Sequence, residues 1–194
     1  MNILVVGAGM YVTGRGSNGL GTVLPALAEL SKNHNINAVT VCATKDDNKQ
    51  IVEKCRDEIN SLLKTNLRIN YKNIINIWES LEISKFDCAI VCVPDHLHYK
   101  ISSFLLENEV HTQIVKPLSP TIEEAKALIK IQKERNVHAC VEFHKRFDES
   151  NLVVKRLIQS GELGEISYFN VHYSQRKEIP LSIFKNWAEK TNIF

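Results

Sequence analysis

The stretch that decides the fold is residues 1–30, MNILVVGAGMYVTGRGSNGLGTVLPALAEL. An apolar run, Ile3-Leu4-Val5-Val6, breaks into a glycine-rich segment from Gly7 to Gly21 and then into a helical pattern over Val23 to Leu30. A buried strand that turns through glycines into a helix leaves backbone N–H groups at the positive end of the helix dipole, the geometry that holds a diphosphate. The segment therefore predicts a nucleotide cofactor. Its glycines depart from G-x-G-x-x-G: Gly7 and Gly9 are in place, but Val12 stands where the third glycine belongs. We read Gly7 and Gly9 as the tight turn, Gly19 or Gly21 as the close helix approach, and Met10 to Asn18 as an inserted flap. The helix restarts at Thr22, with Pro25 tolerated in its first turn. Gly16 to Thr22 also has the glycine spacing of a phosphate loop, but Thr22 occupies the lysine position, so ATP hydrolysis is set aside. An unliganded glycine-rich surface loop is the alternative, against which the apolar strand ahead of it speaks.

Outward from this opening the chain alternates. Asn37 to Thr44 reads as a second strand, and Asp47 to Thr65 as a helix with Ile51, Val52, Cys55, Ile59, Leu62 and Leu63 on one face. Leu67, Ile69 and Tyr71 alternate as a third strand, and Ile74 to Leu81 reads as a short helix. Cys88 to Val93 is the continuous apolar run of a strand covered on both faces, ended by Pro94. Helix Leu97 to Leu106, strand Val110 to Val115, helix Ile122 to Arg135 and strand Val137 to Phe143 follow, with Thr121 and Glu124 as a capping box. The pattern predicts an α/β fold, a Rossmann-like doubly wound parallel sheet over residues 1–143, with ligand at the carboxyl ends of the strands. Residues 144–194 read as the start of an incomplete α+β second domain. There Asp148 caps a helix to Ser160, Gly161 stops it, and Ile166 to Tyr173 alternates like an antiparallel strand.

With 194 residues and 44% hydrophobic content there is ample material for a packed core. A formal net charge of +2 suggests neither a nucleic-acid nor a membrane-surface partner. The Met1 strand is too short for a signal or a membrane span, so a cytoplasmic protein is expected. Five cysteines with no C-x-x-C pair read as buried, reduced thiols. His96 and His98 form an H-x-H without a third ligand, so no metal is expected.

Cofactor choice is read at the end of the second strand, where an acid holds the ribose hydroxyls of NAD, and a hydroxyl residue followed by a base suits the extra phosphate of NADP. The strand ends Ala43-Thr44-Lys45, with acids only at Asp46 and Asp47. NADP is favoured on this reading, with NAD the alternative if the register slips by one residue.

Three further segments, in order, carry a resemblance: Val93-Pro94-Asp95-His96-Leu97-His98, Val115-Lys116-Pro117-Leu118, and Glu142-Phe143-His144-Lys145-Arg146-Phe147-Asp148. Behind a Rossmann-like start, the chain resembles the glucose-fructose oxidoreductase, inositol dehydrogenase and rhizopine-catabolism family. The resemblance implies an N-terminal dinucleotide domain and a C-terminal domain built on a large open sheet. It also implies transfer of a hydride between NAD(P) and a sugar or cyclitol carbon. Pro94 and His98 look like the family's proline and histidine at the nicotinamide end of the cleft. Lys116 and Pro117 look like its glutamate-lysine-proline turn, with Val115 in the glutamate position. Lys116 would contact the reacting hydroxyl and the cofactor; His98 would line the nicotinamide pocket. A strand-end lysine reaching for water is the alternative for Lys116. The family's substrate-side aspartate and histidine fall beyond the 194 residues, which implies a fragment with an incomplete active site.

The resulting expectation is an NADP-preferring oxidoreductase acting on a small sugar-like substrate and forming a homo-oligomer. Lys116 and His98 are its catalytic candidates, and Gly7, Gly9, Arg15, Gly19, Gly21, Thr44, Lys45, Pro94 and Lys116 its cofactor-binding ones. A non-catalytic dinucleotide-binding sensor or assembly module is the competing expectation.

Overall fold

The computed structural model describes residues 1–15, 19–74 and 81–174. Strands β1 (Asn2–Val6), β2 (Ala38–Ala43), β3 (Ile69–Asn73), β4 (Cys88–Val91), β5 (His111–Val115) and β6 (Ala139–Glu142) form one sheet in the order β3-β2-β1-β4-β5-β6. β1 pairs in parallel with both β2 and β4, and the parallel pairing continues to β3 on one side and β5 on the other. Helices α1 (Met10–Thr13), α2 (Val23–Leu30), α3 (Asn48–Leu63), α4 (His98–Glu107) and α5 (Ile122–Arg135) lie between the strands in sequence, and α6 (Glu149–Gln159) follows the last. This is the Rossmann-like doubly wound sheet that the alternation predicts, with the strand order reversing between β1 and β4.

Side-chain alternation along the central strands explains the two-sided winding. Ile3 and Val5 of β1, with Val39 and Val41 of β2, pack in one buried cluster with Leu24, Leu27 and Ala28 of α2 and Val52 and Ile59 of α3. Leu4 and Val6, with Cys42, Ala89 and Val91, pack in a second with Ile101 and Leu105 of α4. Successive side chains of a strand point to opposite faces, so an unbroken apolar run requires cover on both. α5 begins at Thr121, whose Oγ1 accepts the Glu124 N–H at 3.2 Å, and ends at Asn136 in the left-handed conformation.

The chain divides into two compact units, Met1–Val141 and Glu142–Phe194. In the second, α6 is close to the predicted helix, but Asp148 does not cap it with its side chain and instead accepts from Lys145 Nζ at 3.0 Å. The antiparallel strand expected at Ile166 to Tyr173 is not formed: none of the described residues pairs with it, and a strand exists only through its hydrogen-bonded neighbour. Tyr168 and Val171 are more than four-fifths exposed. Cys140, expected buried, is exposed because β6 is the outermost strand, whereas Cys42 and Cys55 are buried as expected. The helix expected at Ile74 to Leu81 falls on residues 75–80, which with residues 16–18 of the predicted flap and the tail from 175 lie outside the described residues. Among the described residues, no helix is long and apolar enough to cross a membrane.

Candidate dinucleotide site

Val6 of β1 is level with Cys42 of β2 and Val91 of β4, so these strands end together. Just past their carboxyl ends lies a cavity of about 580 Å³. Its walls come from Val6, Gly7, Ala8 and Gly9 after β1, Cys42 to Lys45 with Asn48 after β2, and Cys92, Val93 and Pro94 after β4. Ile74, Arg15 and, from the α4 side, Leu97, Lys100 and Ile101 complete it.

The turn after β1 requires its glycines for different reasons. Gly7 has φ of +111°, and a Cβ there would sit 2.1 Å from the Cys92 carbonyl oxygen, so no other residue fits. At Gly9, nothing lies within 4 Å of where a Cβ would be. Packing of the chain does not demand glycine at that position, whereas close approach of a ligand backbone or phosphate would. The residues of this turn therefore fit a dinucleotide diphosphate.

Beyond Gly9 the path departs from the expected flap. Met10–Thr13 is already helical, with Val12 fully buried in the core. The Thr22 N–H then bonds the Tyr11 carbonyl at 2.8 Å, eleven residues away in sequence instead of the four of a continuous helix. The chain thus leaves a helix at Gly14 and rejoins it at Thr22. Gly14 (φ +73°) and Gly21 (φ +76°) form the neck of this excursion, where a Cβ on Gly21 would meet Gly14 N at 2.7 Å and one on Gly14 would overlap the Gly19 carbonyl oxygen. Gly19 and Gly21 therefore close the neck and do not line the cavity.

The excursion brings Arg15 across to the end of β2. Arg15 Nη1 donates to Asn48 Oδ1 at 2.8 Å, and Asn48, the first residue of α3, is only 5% exposed. Close by, the Tyr71 hydroxyl lies 2.5 Å from the Lys45 carbonyl oxygen and 3.2 Å from that of Ala43. Burial pushes the Tyr71 phenol up from its ordinary value, and the neighbouring Asn48 side chain partly offsets this. Asp46 is turned to β3, where Asn73 Nδ2 donates to its Oδ1 at 2.5 Å. Three cations, Arg15, Lys45 and Lys100, line the cavity, and among the described residues no carboxylate does. Cys42 is also in the wall, but burial pushes its thiol up to about 12, so it stays neutral.

His98 does not line the cavity; it is fully buried. Its Nδ1 lies 2.6 Å from the Pro117 carbonyl oxygen and its Nε2 2.9 Å from that of Val93. The ring thereby ties the turn after β4 to the turn after β5. Lys116, exposed and joined to Pro117 by a cis peptide, also stands outside the cavity wall. Of the predicted site residues, the structure gathers Gly7, Gly9, Arg15, Thr44, Lys45 and Pro94 around one cavity and leaves Gly19, Gly21, His98 and Lys116 off its wall. Asn48, Tyr71 and Lys100 escape a reading of the sequence. For Asn48 a signal exists, a polar residue in the first turn of a helix one turn after Lys45; Lys100 offers none.

Residues 1–143 match the family described as "Oxidoreductase family, NAD-binding Rossmann fold" (GFO_IDH_MocA). An uncharacterized oxidoreductase of Schizosaccharomyces pombe is 30% identical over 125 residues, 63% of this chain and 32% of that protein. The scyllo-inositol 2-dehydrogenase (NADP(+)) IolW of Bacillus subtilis is 29% identical over 104 residues, 54% of this chain and 28% of its own length. The match thus spans about a third of the length of these relatives. Among solved structures, the WlbA dehydrogenase from Bordetella pertussis in complex with NADH and UDP-GlcNAcA superposes with a TM-score of 0.62. It is 19% identical, and the superposition covers 85% of this chain and 43% of that one, a likeness of fold.

Proposed function

The chain belongs to the oxidoreductase family with an NAD-binding Rossmann fold, and from that premise we propose that it binds NADP in preference to NAD and serves hydride exchange with a sugar or cyclitol carbon. The observation that carries the cofactor preference is the cavity wall of three cations and, among the described residues, no carboxylate. A 2′-phosphate adds negative charge at the adenosine ribose, which Lys45 meets and a carboxylate would repel. Asp46, the acid a register slip would offer to the ribose hydroxyls, is engaged by Asn73 instead.

When bound, the nicotinamide supplies the carbon that gives or takes the hydride. The chain's residues hold and orient. Gly7 and Gly9 let the diphosphate approach the backbone, Thr44 and Lys45 hold the adenosine end, and Pro94 bounds the nicotinamide end. Lys116 is the proposed catalytic residue: its ammonium orients the substrate hydroxyl and stabilises alkoxide charge as it develops. His98 is a positioning residue, since its contacts with the Val93 and Pro117 carbonyls fix the turn that carries Lys116. The relatives support the substrate class, one being named for a cyclitol and one solved with a nucleotide sugar. A cytoplasmic location and assembly into a homo-oligomer complete the proposal.

Charge reversal at Lys45 tests the cofactor preference. Lys45→Asp should weaken NADPH binding by about 10-fold or more and strengthen NADH, measured by calorimetric titration. Unchanged selectivity would remove Lys45 from the adenosine site.

A further inference from the structure

We propose that Arg15 reads the 2′-phosphate of the bound dinucleotide and not its diphosphate, with buried Asn48 as its positioning residue. The inference rests on the cofactor reading above and deepens it.

The location follows from hydrogen bonds. The diphosphate turn is at Gly7 and Gly9, after β1, whereas Arg15 is bonded to the first residue of α3, after β2. Asn48 N–H in turn bonds the Lys45 carbonyl at 3.2 Å, so the guanidinium is docked one helical turn beyond Thr44 and Lys45. Bonds run from Arg15 to the Asn48 side chain and from the Asn48 N–H to the Lys45 carbonyl, which the Tyr71 hydroxyl also meets. The Arg15 guanidinium is thus held close to the backbone of Lys45 before any ligand arrives. Such preorganisation is what a small dianion rewards, because ordering a long arginine side chain at the moment of binding would cost affinity.

The chemistry of the group agrees with its place. A guanidinium has five N–H donors in a planar fork, and Asn48 takes one of them. The others are available for phosphate oxygens, in the cavity that Arg15 shares with Lys45. Asn48 would otherwise be a costly residue to bury, at 5% exposure inside the first turn of a helix. Its side-chain bond to Arg15 explains why it is there. The ligand implied is a 2′-phosphorylated adenosine dinucleotide, recognised by one cation from each side of the β1–β2 pair.

The test is titration of the purified chain with NADPH and NADH, for the wild type, Arg15→Gln and Asn48→Leu, with 2′-AMP and 5′-AMP as competitors. Arg15 is exposed, so its replacement should not disturb folding. Arg15→Gln should weaken NADPH about 10- to 100-fold, leave NADH within about 2-fold, and abolish the advantage of 2′-AMP over 5′-AMP. Asn48→Leu should shift NADPH in the same direction by a smaller factor. Equal losses for NADPH and NADH on Arg15→Gln would put Arg15 on the diphosphate and overturn the proposal, as would no loss for either. A wild type that binds NADH more tightly than NADPH would overturn the cofactor reading itself, a result separable from the other two because no variant is needed to see it.

Discussion

Val12 has no exposed surface and packs in the cluster that holds Val23, Leu24 and Val41. It occupies the third-glycine position of the fingerprint, so restoring the fingerprint should harm the protein. Val12→Gly removes a buried isopropyl group and adds a glycine to a helix, which together cost about 2–4 kcal/mol. The lower urea midpoint should come with no gain in dinucleotide affinity; an unchanged midpoint would mean that the helix around Val12 is not packed as described. Glycines were legible in the sequence as points of freedom, but not which neighbour each one serves. Gly7 answers to the Cys92 carbonyl and Gly21 to the backbone of Val12 and Gly14, contacts that spacing alone does not encode. Lys45 was legible because it directly follows a strand end. Lys100 was not, because the face of α4 that meets the cavity is set by how that helix packs on β4.

The break in the first helix is where local sequence and three-dimensional path part company. The strand, the glycines and the restart near Thr22 all follow from residue patterns, and the structure has them. What the pattern could not provide was the bond between Tyr11 and Thr22, which makes residues on either side of the break neighbours in a helix. Deleting residues 15–21 brings Thr22 to the fourth position after Tyr11, so α1 and α2 can join in register. The deleted protein should fold cooperatively, bind NADH about as the parent does, and lose its preference for NADPH along with Arg15. Loss of folding would show that the excursion is part of the core, and a retained preference would show that it is not part of the site. The segment Ile166 to Tyr173 gives the complementary lesson: its alternation was visible, but alternation fixes which side chains share a face and not whether a partner strand exists.

At the scale of the whole molecule, every residue that lines the cavity belongs to the unit Met1–Val141. The six-stranded sheet places the cavity at the reversal of strand order between β1 and β4, where the Gly7 N–H donates to the Cys42 carbonyl and the Cys92 N–H to the Val6 carbonyl. The second unit carries a different kind of surface, with Phe147, Tyr168, Phe169 and Val171 each more than three-fifths exposed. Exposed apolar surface of this extent is found where chains meet, which supports the proposed self-association. Dinucleotide binding is thus the property on which the rest of the account depends. The most direct measurement is a fluorescence titration of the purified chain with NADPH and then NADH. The account predicts saturable binding of both, with NADPH the tighter; binding of neither would contradict it and leave the glycine turn and its three cations without a ligand.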